Sequence, residues 1–218
     1  MSRLRLLAHP FSSYSQKVLV ALYEHGTDFE YLSLEDPAHR QLLAAHWPLR
    51  RFPVLIDGPR TVMEASIIIE YMDLHSPGAR PLVPRDPEAA WQVRLLDRFF
   101  DQYVATPQQK IVFDHLRAEE ARDAFGVDEA RRMLQTAYAW LEDHLAGRTW
   151  AAGADFSLAD CAAAPFLFYA DWTHAIDPRF SRVRAYRQRL LARPSFARAV
   201  DEARPYRAYF PLGAPDRD

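Results

Sequence analysis

Two neighbouring segments carry residues suited to holding a short peptide. Pro53 lacks an N–H and therefore fits the start of a strand better than its middle. If the Phe52–Pro53 bond is cis, the main-chain N–H and C=O of Phe52 face outward and can pair with an incoming peptide. Glu64, Ala65 and Ser66 follow at a strand-to-helix junction, whose unpaired N–H groups favour a carboxylate. Together these residues indicate a site for a small acidic peptide.

A third stretch with chemical potential is the serine-rich opening of the first predicted helix. Ser13, with Gln16 three residues later, fits a capping box, so we expect Ser13 to cap this helix. Ser12 then lies one residue outside the cap, where its hydroxyl is free to face a ligand. Tyr14 is a competing hydrogen-bond donor, but its position in the helix start favours packing or lining the site.

The elements that must position these residues change character along the chain. The first eighty or so residues follow the order β-α-β-α-β-β-α, with a strand over Arg3 to Leu7 and a hairpin around Asp57-Gly58. Strand signals then vanish. Helical patterns cover Ala89 to about Arg117, with a kink or break at Pro107, then Asp128 to about Ala146, and shorter stretches follow. We expect an α+β, mostly α chain.

Composition excludes several classes of protein. The 218 residues are 49% hydrophobic and 26% charged with a net charge of -2, which is typical of a soluble globular chain and not of a nucleic-acid binder. No apolar run approaches the roughly 20 residues needed to span a membrane, and no signal peptide is visible, so we expect a cytoplasmic protein. The eight histidines show no metal-ligand spacing. The single cysteine, Cys161, is expected in a buried helix face.

Three motifs in order carry a family resemblance: the stretch Ser12-Ser13-Tyr14-Ser15, the pair of segments around Pro53 and Glu64, and Phe156-Ser157-Leu158-Ala159-Asp160. Over nearly its whole length the chain resembles soluble, bacterial-type glutathione S-transferases. The first motif is most similar to the serine-class, zeta-like members, in which a cysteine occupies the place of Tyr14. The resemblance implies a thioredoxin-like domain over 1–77, a linker over 78–87, an all-helical domain over 88–218, and a homodimer.

The resemblance implies that glutathione is the co-substrate, without a metal, and that Ser12 donates a hydrogen bond to its thiolate. An ordinary thiol titrates near about 8.5, and lowering that pKa by about two units needs roughly 2.7 kcal/mol. A hydrogen bond to a charged group contributes about 1.5–3 kcal/mol, and a helix N-terminus adds about 0.3–1 kcal/mol. A hydroxyl at the start of the first helix is therefore sufficient.

The family's binding residues map onto this chain with one departure. Ala65 occupies the position where the family usually has a serine, which weakens glutathione binding by about 1 kcal/mol unless Ser66 compensates. Arg51 is expected to pair with the glycyl carboxylate and Glu64 with the α-amino group. The full set expected to bind glutathione is Ser13, Arg51, Phe52, Pro53, Glu64, Ala65 and Ser66. The set expected to line the co-substrate pocket is Phe11, Tyr14 and Tyr103.

Three functions remain open at this point. The first is transfer of glutathione to a small hydrophobic electrophile. The second is a zeta-like, glutathione-dependent cis–trans isomerase, which Ser12-Ser13 favours and Tyr14 weakens. The third is a non-catalytic binding protein with the same fold, which the departure at Ala65 suggests.

Overall fold

The computed structural model describes residues 4–76, 78 and 80–218. Three positions used in the sequence-based expectations lie outside the described residues. They are Arg3 at the start of the first strand, Pro77 at the end of the first domain, and Ala79 in the linker. The expected domain boundaries therefore stay predictions.

The first part of the chain forms a four-stranded mixed sheet with three helices. Its elements are β1 (Leu4–Ala8), α1 (Ser13–His25), β2 (Phe29–Ser33), α2 (Pro37–His46), β3 (Val54–Asp57), β4 (Arg60–Met63) and α3 (Ala65–His75). The strand order is β2-β1-β3-β4, with β1 parallel to β2 and antiparallel to β3, and with β3 antiparallel to β4. The predicted order of elements and the thioredoxin-like fold are confirmed.

The alternation of apolar residues in β1 explains why helices cover both faces of this sheet. Successive side chains of a strand point to opposite faces. Leu6 and Ala8 pack into the large core shared with α1 and α3. Leu7, on the other face, packs into a smaller core that includes Leu43 of α2. Because both faces are buried, β1 is held in the middle of the sheet and the loop that follows it is fixed.

The second part of the chain is helical, as expected. Its helices are α4 (Pro87–Phe99), a π-helical turn (Phe100–Ala105), α5 (Thr106–His115), α6 (Ala124–His144), α7 (Leu158–Thr173), α8 (Ser181–Leu191) and α9 (Pro194–Ala203), with 3₁₀ turns at Glu119–Ala121 and Arg204–Tyr209. Helix α6 begins at Ala124 instead of the predicted Asp128, because Asp123 accepts a hydrogen bond from the N–H of Gly126 at 2.9 Å. No helix among the described residues is long and apolar enough to cross a membrane.

The interruption of the long helix differs from the prediction. We expected a kink or break at Pro107, but the irregular segment is the π-helical turn before it. The N–H of Thr106 donates to the carbonyl of Asp101, which is the wider hydrogen-bond pattern of a π turn. Pro107 then falls in the first turn of α5, where its missing N–H is not needed. The π turn therefore precedes the proline and changes which residues face the first domain.

Candidate functional site

A cleft of about 470 Å³ lies where the first domain meets the π-helical turn and α5. Its walls come from the start of α1, the loop after α2, the start of β3, the start of α3, the π-helical turn and α5. The residues that line it are Ser12, Tyr14, Trp47, Arg50, Arg51, Phe52, Pro53, Glu64, Ala65, Asp101, Gln109 and Phe113. Seven of the residues expected from the sequence are thus gathered in one cavity: Ser12, Tyr14, Arg51, Phe52, Pro53, Glu64 and Ala65.

The cap of α1 is Ser12, and the expectation that Ser13 caps this helix is wrong. The Oγ of Ser12 accepts a hydrogen bond from the N–H of Ser15 at 3.3 Å, and Ser13 is the first helical residue. The two roles expected of these serines therefore fall on one residue, since Ser12 also lines the cleft. A hydroxyl that accepts from the helix still has its own hydrogen to donate. Ser13 is not among the residues that line the cleft.

The start of α3 forms the part of the cleft suited to an anion. Glu64 precedes the helix with a φ of 68°, a left-handed conformation that is strained for a residue other than glycine. In this conformation Glu64 joins β4 to α3, and it lines the cleft together with Ala65, the first residue of the helix. Ala65 is almost fully buried there, with 6% of its surface exposed, and it supplies a main-chain donor without a hydroxyl.

The start of β3 forms the part suited to a peptide. The Phe52–Pro53 bond is cis. None of the described residues forms a main-chain hydrogen bond with the N–H or C=O of Phe52. Arg51 is exposed beside it, and Arg50 adopts a positive φ of 53°. This edge offers main-chain donor and acceptor groups together with two guanidinium groups.

Ser66 does not line the cleft. Its hydroxyl donates to Asp97 Oδ2 and accepts from Lys17 Nζ, each at 2.8 Å, inside a buried cluster of charges. The expectation that Ser66 makes up for the missing hydroxyl at Ala65 is therefore corrected. Its side chain points into the contact between α1, α3 and α4 because a buried ion pair there needs its hydrogen bonds.

Two residues expected in the co-substrate pocket lie elsewhere. Phe11 packs edge-on against Tyr169, with ring centroids 5.4 Å apart, and lines a separate small cavity. Tyr103 is 45% exposed and packs against Phe99, with ring centroids 5.6 Å apart. Of these two residues only Tyr103 belongs to the helical domain, and the aromatic pattern did not indicate which face of that domain meets the cleft.

Tyr14 lines the cleft, but its hydroxyl already has a partner. It donates to Asp101 Oδ1 at 2.5 Å. Burial, together with the hydrogen bond and the negative charge of Asp101, raises the pKa of Tyr14 far above its ordinary value. The phenol therefore stays protonated at neutral pH and is committed to the carboxylate. Of the two hydroxyl-bearing residues that line the cleft, Ser12 is the one whose hydroxyl is not committed to a carboxylate.

The sequence analysis assigned no site role to five residues of the helical domain and the loop after α2: Trp47, Arg50, Asp101, Gln109 and Phe113. Gln109 and Phe113 are one turn apart on α5, so a periodicity argument could have paired them. Asp101 could not have been found in this way, because the direction of its side chain depends on the π-helical turn. Cys161, by contrast, is fully buried away from the cleft, and burial raises the pKa of its thiol.

Comparisons with known proteins agree with this geometry. A family model for the glutathione S-transferase N-terminal domain matches residues 6–80, and one for the C-terminal domain matches residues 120–189. A probable glutathione S-transferase of Nicotiana tabacum is 30% identical over 164 residues, covering 75% of this chain and 69% of the relative.

Two solved structures are similar over nearly their whole length. A glutathione S-transferase from Methylobacterium radiotolerans, in complex with glutathione sulfonate, is 31% identical with a TM-score of 0.80, covering 91% of this chain and 95% of that one. A glutathione S-transferase from Methylobacillus flagellatus, with glutathione bound, is 26% identical with a TM-score of 0.82, covering 90% of this chain and 98% of that one. On the fold, the cleft and these matches, the chain belongs to the glutathione S-transferase family.

Proposed function

We propose that this chain binds glutathione in the 470 Å³ cleft and transfers it to a small hydrophobic electrophile. The observation that carries the proposal is the meeting of three groups in one cavity. These are the hydroxyl of Ser12, the main chain at Phe52–Pro53, and the helix start at Glu64–Ala65. Each suits a different part of a γ-glutamyl tripeptide thiol.

Each part of glutathione has a complementary partner in this proposal. The main-chain groups of Phe52 pair with the cysteinyl residue of the ligand in the manner of an added strand. The N–H of Ala65 and the helix start bind the γ-glutamyl carboxylate, and Glu64 takes the α-amino group. Arg51 pairs with the glycyl carboxylate. The sulfur then lies beside Ser12, which donates to the thiolate and does not act as a base.

The electrophile binds on the opposite side of the cleft. Phe113 of α5 offers apolar surface there, and Gln109 of the same helix offers a polar group. Attack of the thiolate on a halide, an unsaturated carbonyl or a peroxide is the chemistry we propose, with detoxification as its use. We place this reaction in the cytoplasm, where thiols are kept reduced.

We also propose that the chain acts as a homodimer through α3 and α4. Four apolar side chains on these helices are about half or more exposed: Ile67, Leu74, Trp91 and Leu95. Arg94 of α4 and Glu70 of α3 form a bidentate ion pair at 3.0 and 2.8 Å, which joins the two helices in this region. Exposed apolar surface of this kind is typical of a contact with another chain.

The test is a calorimetric titration of the purified chain with glutathione, followed by turnover assays with the three classes of electrophile. We expect measurable heat, and a gain in the free energy of unfolding of about 2.7 kcal/mol at a hundredfold excess of ligand over the dissociation constant. At least one class should be turned over. No heat and no thermal stabilisation at millimolar glutathione would contradict the proposal and favour a non-catalytic binding protein with this fold.

A further inference from the structure

Two side chains of α1 contact two carboxylates of the helical domain. Lys17 is fully buried, and its Nζ lies 2.5 Å from Asp97 Oδ1. One turn earlier, the hydroxyl of Tyr14 lies 2.5 Å from Asp101 Oδ1. Only the second pair lines the cleft. Of these two contacts between the domains, one is a buried ion pair and the other, beside the ligand site, is a neutral donor on a carboxylate.

Arg98 bridges the two carboxylates. Its Nη2 lies 2.7 Å from Asp97 Oδ2 and 3.0 Å from Asp101 Oδ2, and it also donates to the hydroxyl of Ser66. Lys17 already compensates Asp97. Among the described residues, Arg98 is the one cation in ion-pair contact with Asp101. The charge of the cleft-facing carboxylate is therefore balanced by a single guanidinium that is itself 47% exposed.

We propose that Arg98 is a positioning residue for the glutathione thiolate, acting through Asp101, and this inference rests on the proposed function. Arg98 keeps the carboxylate neutralised at the cleft wall and holds it in place for Tyr14. Without Arg98, an uncompensated negative charge would share one cleft with the sulfur. Over a distance within about one Debye length, 8–10 Å, such a charge disfavours a second anion.

The other charged groups that face the cleft are Arg50, Arg51 and Glu64. They come from the loop after α2 and from the start of α3, and no ion pair joins them to Asp101 among the described residues. They stay in place when Arg98 or Asp101 is changed. A shift in the titration of the bound thiol therefore reports on the Arg98–Asp101 pair.

The experiment measures the pKa of glutathione bound to the full chain, from the ultraviolet absorbance of the thiolate, alongside the pH profile of kcat/KM. Arg98→Gln should raise this pKa by about half a unit to one unit, so that at a pH well below the pKa the thiolate fraction falls by about threefold to tenfold. Asp101→Asn keeps an acceptor for Tyr14 but loses the charge, so it should shift the pKa downward. In the double variant the pKa of bound glutathione should lie close to the original value. In Arg98→Lys, most of the shift seen with Arg98→Gln should be absent.

Arg117→Gln is the matched control. Arg117 is 46% exposed and paired with Asp114, but it does not line the cleft, so its loss should leave the pKa unchanged. An unchanged thiol pKa in both Arg98→Gln and Asp101→Asn, with glutathione still bound, overturns this inference alone. Absence of glutathione binding by the unaltered chain overturns the proposed function as well. If Arg98→Gln does not fold, Asp101→Asn tests the same ion pair, with the expected shift of the thiol pKa in the opposite direction.

Discussion

Ser12 is the residue at which the capping of α1 and the proposed chemistry meet. Its Oγ accepts from the N–H of Ser15 and lines the cleft. Substitution by alanine would remove both the cap and the donor, and the loss of a cap costs about 1 kcal/mol by itself. Glycine is tolerated at a cap with a cost of only a few tenths of a kcal/mol. Glycine therefore separates the two roles of Ser12.

We predict that Ser12→Gly leaves the free energy of unfolding within about 0.5 kcal/mol of the original value and raises the pKa of bound glutathione by about one to two units. The physical reason is the loss of one hydrogen bond to a charged sulfur. Spectroscopic titration of the thiolate measures the pKa of the bound glutathione. Ser13→Ala, at the neighbouring position outside the cleft, serves as the control, and a pKa that stays the same in Ser12→Gly would refute the role of Ser12.

At the scale of the element, α7 owes its start to one buried carboxylate. Asp160 is fully buried and accepts from the N–H and hydroxyl of Ser157, each at 2.9 Å, and from the N–H of Ala151 at 2.8 Å. The hydroxyl of Tyr186 donates to it at 2.5 Å. The sequence motif thus holds α7 against α8 and the preceding loop. Its contribution is to folding and not to the cleft.

We predict that Asp160→Ala lowers the free energy of unfolding by about 3–5 kcal/mol, because several buried donors lose their shared acceptor. Ser157→Ala removes only one donor and should cost about 1 kcal/mol. Urea denaturation followed by circular dichroism measures both. A loss below about 1 kcal/mol in Asp160→Ala would contradict the structural role assigned to this carboxylate.

At the scale of the whole molecule, the site exists only where the two domains meet. The first domain supplies Ser12, Pro53 and Ala65, and the helical domain supplies Asp101 and Phe113. The apolar surface of α3 and α4 lies on the helices that carry Ala65 and Arg98. A second copy bound to this surface would therefore stabilise the elements that hold the proposed glutathione site.

We predict that Trp91→Glu converts the protein to a monomer, because a carboxylate in an apolar contact loses its hydration without a partner. Light scattering after size exclusion should record a fall from twice the chain mass to one chain mass. Phe125→Glu, at a residue 71% exposed on α6, should leave the mass unchanged. A monomeric mass for the unaltered chain would refute the homodimer.

The sequence by itself determined the order of elements and the residues that lie next to strand ends and helix starts. Pro53 marks the start of β3 because it lacks a donor, and Gly26 ends α1 with a φ of 63°. These are local effects of one residue on its own main chain, so they can be read without knowing the rest of the molecule. Ser12, Phe52 and Ala65 were predicted on this basis together with the resemblance.

Only the tertiary structure decided which side chains of the helical domain face the cleft. A π-helical turn shifts the rotation of a helix, and nothing in the aromatic spacing of α4 and α5 signals it. Asp101 and Phe113 consequently line the site, whereas Tyr103 faces outward and Phe11 packs elsewhere. The hydroxyl of Ser66 is likewise directed by the buried pair of Lys17 and Asp97, two residues far apart in sequence. Such directions depend on packing between distant elements, which no local pattern contains.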